Sequence, residues 1–233
     1  MDETTNLLLQ IENHVKETLQ KDLPKEVVYH NLDHTIQVVK AARDIGQNSG
    51  LEAEDMEIVT IAAWFHDLGY KESGKNHEEI SAKLAGVFLS EKSYNPGKIE
   101  KIQNCILATK MPQSPKNLME EVVCDADLHH LGTADYFNMA KRLKEEINNN
   151  SDEILTDAKW MQMNVEFIKE HQFFTDFAQE KFEKQKEKNR KKVKRKLKKT
   201  VTPEIDQYLN QIGKLEAKLE KIKTTKPDRG IET

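Results

Sequence analysis

The sequence predicts an all-α protein, a helical bundle followed by a long C-terminal helical extension. Three observations support this prediction. Apolar residues recur every three or four positions, which is the spacing of one helix face. No segment shows the alternation of a half-buried strand. Only 9 glycines and 6 prolines interrupt 233 residues, of which 33% are charged, and so few breaks favour long helices.

Apolar stripes define the predicted helices in chain order. The first four stripes are Leu7, Leu8, Ile11, Val15 and Leu19; Ile36, Val39, Ala42 and Ile45; Ile58, Ile61, Ala62 and Phe65; and Ile80, Leu84, Val87 and Phe88. A helix carrying Ile99, Ile102 and Ile106 follows. Pro112 and Pro115 predict a loop, and residues 148–151 predict a turn before a helix that starts near Asp152.

The composition is typical of a cytoplasmic protein. The two cysteines, Cys105 and Cys124, lie in apolar segments without a CxxC motif, so we expect reduced core thiols. The acidic N-terminus lacks the features of a signal peptide. No stretch approaches the roughly 20 apolar residues of a membrane span.

Histidines and aspartates stand at the boundaries of three apolar segments. The central segment ends at His66 and Asp67, just before Gly69. The flanking segments supply two more pairs, His30 with His34, and Asp125 with Asp127. A mixed nitrogen and oxygen ligand set suits manganese, iron, cobalt, nickel or magnesium better than a structural zinc site, which normally contains cysteine.

Three motifs in this region resemble the HD superfamily of metal-dependent phosphohydrolases. They are Tyr-His-Asn-x-x-His-Thr, Phe-His-Asp-Leu-Gly-Tyr and Asp-Ala-Asp-Leu, in that order within roughly residues 25–135. The resemblance implies an HD-domain helical bundle with four metal ligands, His34, His66, Asp67 and Asp127. Because residues two apart point in different directions on a helix, we expect only one aspartate of the last motif to bind metal. Asp125 is the alternative ligand.

The resemblance also implies hydrolysis of a nucleotide or cyclic nucleotide phosphate. A divalent metal with open positions polarises a phosphoryl oxygen and lowers the pKa of a bound water. Asp67 could bind the metal and accept a proton from that water. His77 and His30 are candidates for phosphate binding, for protonation of the leaving group or for a second metal. Lys71 and Lys110 are candidate phosphate-binding cations, with Lys71 near the catalytic centre, although both could be ordinary surface lysines.

Four other histidines have no motif around them. A single histidine in a helical protein is usually hydrogen-bonded in the core or exposed. We therefore expect no ligand among His14, His129, His130 and His171.

The chain divides into three predicted parts. Residues 1–180 form the HD-type domain, residues 181–225 a basic helix with a short heptad extension, and residues 226–233 a tail or junction. Residues 181–199 contain twelve basic and two acidic residues, a local charge of +10. This run could contact an anionic membrane surface or nucleic acid, or be a solvated helix face. Specific nucleic-acid binding is the least favoured, because the run lacks the regular interleaving of aromatic residues that base stacking needs.

A short heptad pattern follows Pro203. Its members are Ile205, Tyr208, Ile212, Leu215, Leu219 and Ile222. The pattern covers about two and a half heptads, fewer than an independent coiled coil usually has. It could fold back on the preceding helix, but we favour a homodimer.

Residues 226–233 carry a second resemblance. The run Lys-Pro-Asp-Arg-Gly-Ile-Glu-Thr resembles the junction of Pycsar antiphage effectors, in which an HD-like region leads into a membrane module. This resemblance implies a truncated effector at the inner membrane face. It also supports an alternative function, a nucleotide-binding sensor that signals through its C-terminal helix.

Overall fold

The computed structural model describes residues 3–224, and within them it forms helices and no strand. The all-α prediction is confirmed. The described range contains nine α-helices: α1 (Glu3–Lys21), α2 (Leu32–Asn48), α3 (Ala53–Phe65), α4 (His77–Glu91), α5 (Pro96–Ala108), α6 (Leu118–Leu128), α7 (Tyr136–Asn149), α8 (Asp157–Glu170) and α9 (Asp176–Thr224). Two short 3₁₀ helices, Leu68–Lys71 and His129–Gly132, follow α3 and α6.

Helix α3 is the centre of the bundle. Every residue from Ile58 to Phe65 is buried, because α1, α2, α4, α5 and α6 all contact this helix. A helix that is apolar on every face is stable only when it is enclosed in this way. The two residues that follow α3, His66 and Asp67, are therefore buried as well. Cys105 and Cys124 are buried free thiols in the surrounding core.

The buried face of α4 differs from the predicted stripe. Leu84 and Phe88 pack partly against the core, but Val87 is 52% exposed. The fully buried residues are mostly small ones, Ser81, Ala82, Ala85, Gly86 and Leu89. Small side chains allow α4 and α5 to approach closely, and the amide of Gln103 on α5 donates a hydrogen bond to the Ala82 carbonyl (2.9 Å).

The first part of α9 packs on the bundle. The side-chain amide of Asn189 donates to the carbonyl oxygens of Leu131 (2.9 Å) and Thr133 (2.8 Å). Val193 is also buried. The boundary predicted between residues 180 and 181 thus falls inside a helix that begins at Asp176.

The rest of α9 leaves the bundle as a continuous helix through Pro203. The heptad residues whose side chains are described are each at least half exposed: Ile205, Tyr208, Ile212, Leu215 and Leu219. In the single chain this segment does not fold back on the preceding helix. The side chain of Ile222 and the junction at residues 226–233 lie outside the described part of the chain. None of the described helices is both long enough and apolar enough to cross a membrane.

We expect Gly132→Ala to destabilise the protein by about 1–3 kcal/mol, because an added methyl group must displace packed atoms. A Cβ at Gly132 would lie 2.4 Å from the Cβ and 2.7 Å from the carbonyl oxygen of Phe182 on α9. Chemical denaturation measures the loss, and amide exchange should rise in residues 182–193. Gly213→Ala is the control, since a Cβ there meets nothing within 4 Å. It should stabilise the helix by up to about 1 kcal/mol, and equal destabilisation by both variants would contradict the packing argument.

Candidate metal centre

His34 is positioned by the start of α2. The side-chain oxygen of Asn31 accepts hydrogen bonds from the backbone N–H groups of Asp33 (3.0 Å) and His34 (3.2 Å). This is an N-cap, which satisfies donors that the first helical turn leaves free. It fixes the first turn of α2, and His34 is 2% exposed within that turn.

His66 is oriented by a backbone carbonyl of α3. Its Nδ1 lies 2.9 Å from the carbonyl oxygen of Ala63. Because a carbonyl oxygen can only accept, Nδ1 carries the hydrogen, and in the neutral ring Nε2 keeps its lone pair. Histidines that bind metal are commonly fixed by such a second hydrogen bond.

The turn after Asp67 depends on Gly69. A Cβ on this glycine would lie 2.2 Å from the carbonyl oxygen of His77, so only glycine allows the turn to approach the start of α4 so closely. The Gly69 N–H also donates to the hydroxyl oxygen of Ser81 (2.8 Å). These contacts hold His77 beside the metal cluster, with its Nε2 3.4 Å from Oδ1 of Asp67.

His34, His66, Asp67 and Asp127 converge into one cluster. One donor atom from each side chain lies within 4.8 Å of the other three. Oδ2 of Asp67 is 3.2 Å from Nε2 of His34 and 3.0 Å from Nε2 of His66. Oδ1 of Asp127 is 3.5 Å and 3.6 Å from the same two nitrogens. The structure therefore brings together all four residues that the resemblance implied as ligands.

The buried charges of the cluster shift one another's pKa values. Burial lowers the pKa of His66, but the carboxylates of Asp67 and Asp127 outweigh it and raise that pKa well above its usual value. Burial raises the pKa of Asp67, and the charges of His66 and His30 outweigh it and lower that pKa well below the usual range. Without a metal, protonated imidazoles thus balance the carboxylates. A metal bound there must displace those protons, so its affinity falls at low pH.

The donor set fits a divalent metal ion. Oδ2 of Asp67 is buried, and although Nε2 of His34 and Nε2 of His66 are close to it, neither contact has hydrogen-bond geometry, as expected of an atom that shares an ion with them. Nε2 of His34 and Nε2 of His66 also face each other at 3.4 Å, a distance suited to two ligands of one ion. Two imidazoles and two carboxylates match ions that accept mixed nitrogen and oxygen ligands.

Asp125 lies outside the cluster. Its two carboxylate oxygens accept hydrogen bonds from the Phe174 N–H (2.8 Å), the Thr175 N–H (2.8 Å) and the Thr175 hydroxyl (2.7 Å). Burial raises the pKa of Asp125 against the lowering effect of these bonds. The structure thus directs Asp127 towards the metal centre and Asp125 towards the start of α9.

His30 stands beside the cluster on a network that the sequence did not reveal. Its Nδ1 pairs with the Glu146 carboxylate, which also accepts from the backbone N–H groups of Tyr29 (2.7 Å) and His30 (3.0 Å). Its Nε2 is 3.3 Å from the hydroxyl of Tyr70. Glu146 is more than a hundred residues away in sequence, and no local pattern marked it.

The two candidate lysines pair with neighbouring carboxylates. Lys110 pairs with the Glu79 carboxylate, and the Lys71 ammonium is 3.9 Å from a carboxylate oxygen of Glu72. Neither residue lines the cavity described next. The structure therefore does not bring them together with the metal cluster.

A cavity of about 540 Å³ opens against the cluster. One wall includes four of the candidate site residues, Asp67, Asp127, His30 and His77. The opposite wall is mainly apolar and comes from α7 and α8, with Ala140, Leu143, Trp160, Met163 and Phe167. Its size and lining are typical of a small-molecule site.

The remaining histidines mostly behave as expected. His14 stacks on Phe88 with 4.5 Å between ring centroids. Nδ1 of His129 lies 2.6 Å from the Ala126 carbonyl oxygen, and Nδ1 of His171 lies 3.3 Å from the Lys186 ammonium. His130 is buried but also lines the cavity. Burial lowers the pKa of His130 to about 3, so its ring is neutral near pH 7.

The fold and the cluster together define an all-α protein with a His/Asp centre for a divalent metal. The HD domain family matches residues 31–164, and the chain belongs to this family. HD domains bind divalent metal ions, and His34, His66, Asp67 and Asp127 could hold one here. No match was found among curated proteins.

Three solved structures share the fold. A protein from Lactobacillus plantarum aligns with a TM-score of 0.63 at 16% identity, covering 83% of this chain and 96% of that one. The Lin1889 protein from Listeria innocua aligns with a TM-score of 0.58 at 17% identity, and the alignment covers 85% of this chain and 98% of that one. A predicted HD superfamily hydrolase from an uncultured Thermotogales bacterium aligns with a TM-score of 0.54 at 19% identity, and the alignment covers 84% of this chain and 91% of that one.

The two neighbouring aspartates provide a matched test of the centre. Asp127→Asn should lose most of the bound metal, measured by elemental analysis after dialysis, because an amide is a weaker ligand than a carboxylate. Asp125→Asn should keep the metal but lose about 1–3 kcal/mol of stability, because an amide cannot accept all three hydrogen bonds. Loss of metal in Asp125→Asn alone would reverse the assignment.

Proposed function

We propose that this protein is a metal-dependent phosphohydrolase acting on a nucleotide or cyclic nucleotide phosphate. The observation that carries the proposal is the four-donor cluster at the wall of the cavity, where Asp67 and Asp127 are both accessible to a ligand. The similar Thermotogales protein is described as a predicted HD superfamily hydrolase, which agrees with this reaction class.

A divalent metal held by the cluster would polarise a phosphoryl oxygen and lower the pKa of a bound water. Asp67 is the proton acceptor in this proposal, since one of its oxygens faces the histidine ligands and the other faces His77. His77 then holds a proton for the leaving group. Its Nδ1 lies 3.1 Å from the Gly74 carbonyl oxygen, which orients the ring with Nε2 towards Asp67.

His30 and Tyr70 are positioned to bind the phosphate. Their rings stack with 4.1 Å between centroids, and both line the cavity. The Glu146 carboxylate pairs with Nδ1 of His30 and so leaves Nε2 directed at Tyr70 and the cavity. His30 was already a candidate from the sequence, and Tyr70 is added to it, whereas neither candidate lysine lines the cavity.

The test is hydrolysis of a panel of nucleoside mono-, di-, tri- and cyclic phosphates by the manganese-loaded protein. We expect phosphate or nucleoside monophosphate release that Asp67→Ala abolishes. His77→Gln should keep its metal and lower kcat by about 10²–10⁴-fold, the usual effect of removing a general acid. His14→Gln, on the surface away from the cavity, is the control. No turnover of any member by fully metal-loaded protein would reject the proposal.

A nucleotide-binding sensor is the second candidate, favoured by the connection between the site and α9. Asp125 and Asp127 share helix α6, and Asp125 binds Phe174 and Thr175 at the start of α9. In this proposal a cytoplasmic HD domain signals through α9, as in a Pycsar-type effector in antiphage defence. The basic run at residues 181–199 would then lie near an anionic inner leaflet.

Signalling through α9 needs a partner for its exposed heptad face, and we propose a second copy of the chain. The five described heptad residues form a continuous apolar stripe that the single chain leaves exposed. Leu215→Lys should convert a dimer into a monomer in sedimentation velocity, because it buries a charge in the seam. Ala217→Lys adds the same charge on the opposite face of α9 and should leave the dimer intact. A monomeric wild-type protein would exclude this interface.

A further inference from the structure

We infer that the ligand of this cavity carries a single phosphoryl group on a large apolar or aromatic organic group, and that polyphosphates are excluded. This inference rests on the proposed function for its phosphate, and it goes beyond that function in assigning the substrate class. It is carried by the charges that line the cavity and by the shape and chemistry of its far wall.

No lysine or arginine lines the cavity within residues 3–224, whereas five carboxylates do. They are Glu78, Glu166 and Glu170 in addition to Asp67 and Asp127. The nearby histidines do not supply free positive charge, because His30 faces Glu146 and His77 faces Asp67. Lys110, one of the two candidate lysines from the sequence, is paired with Glu79.

The charge balance limits the number of phosphates. A divalent cation in the cluster is already offset by the carboxylates of Asp67 and Asp127. A phosphate monoester adds about −1.5 to −2 charge near pH 7, and a diester adds less. Every further phosphate would enter a cavity with no cation to pair with it, and burying an unpaired charge is unfavourable. Sites for triphosphates normally contain lysine or arginine for this reason.

The far wall is built for an apolar group. Trp160, Met163 and Phe167 project from α8 into the cavity, and Met111 faces them from the loop after α5. Met111 and Met163 are 53% and 42% exposed, although large apolar side chains are usually covered. The neutral polar side chains of this wall are paired with each other, because Asn164 accepts from the Tyr136 hydroxyl (2.6 Å), and the charged ones that α8 adds are the carboxylates of Glu166 and Glu170.

A second hollow extends the site. It has a volume of about 350 Å³ and shares Met111, Leu128, Phe167 and Glu170 with the main cavity. Its wall also lacks lysine and arginine among the described residues. The space available for the organic group is therefore larger than the main cavity alone, and it remains largely apolar along its length.

The first measurement is calorimetric binding of two phosphonates to the manganese-loaded protein. Methylphosphonate and 1-naphthylmethylphosphonate carry the same charged group, and their C–P bonds resist phosphoester hydrolysis. We expect the naphthyl compound to bind at least about tenfold more tightly, since it buries a large apolar area. Equal affinity would overturn the apolar part of the inference.

The second measurement tests the charge limit. AMP and ATP compete for the site against bound 1-naphthylmethylphosphonate, with manganese in excess of all nucleotide. AMP should displace it at a concentration at least about tenfold lower than ATP. Glu166→Lys supplies a cation at the cavity wall and should narrow this difference. Tighter binding of ATP to the wild-type protein would overturn the inference.

Trp160→Ala completes the test. It should weaken the naphthyl compound about tenfold and leave methylphosphonate unchanged. Phe137→Ala is the control, because Phe137 packs in the same apolar cluster but does not line the cavity. Selective phosphonate binding without hydrolysis of any nucleotide would reject the phosphohydrolase and keep the ligand class. Hydrolysis that prefers triphosphates would support the phosphohydrolase and reject the ligand class inferred here.

Discussion

The structure depends on holding two imidazoles and two carboxylates together away from water. Burying one such charge alone would be prohibitive, but each member of the cluster is offset by another. The enclosed helix α3 supplies His66 and Asp67 from the centre of the core, while α2 and α6 bring His34 and Asp127 to the same point. The packing of these three helices is thus also the assembly of the metal centre.

Much of the centre could be predicted from the sequence because its ligands lie in short motifs at the ends of apolar segments. The resemblance favoured Asp127 over Asp125, but the residues alone could not decide between them, since the choice depends on which face of α6 meets α2 and which meets α9. The sequence also did not predict which residues form the cavity wall. Its apolar residues, among them Leu143, Trp160 and Phe167, come from helices after the motifs, and only tertiary packing places them opposite the ligands.

The elements of the bundle were predictable for the same reason, and the differences have physical causes. Hydrophobicity alone favoured the large residues of α4 as its buried face, whereas close approach to α5 selects small ones such as Ala82 and Ala85. Lys71 and Lys110 were plausible phosphate ligands by sequence proximity. In the structure they pair with Glu72 and Glu79 and do not line the cavity, and no single motif encodes which surface charges meet.

The anchoring of α9 has a geometric consequence. At 1.5 Å per residue, the part of this helix beyond Val193 extends roughly 45 Å from the bundle, while the two residues just before its first turn, Phe174 and Thr175, are hydrogen-bonded to Asp125 on α6. The helix therefore has a shorter segment packed on the domain and a longer segment that extends beyond it. A tilt of about 5° at the point of departure moves the far end by roughly 4 Å, so a displacement of α6 too small to disturb the core would be amplified at the tip.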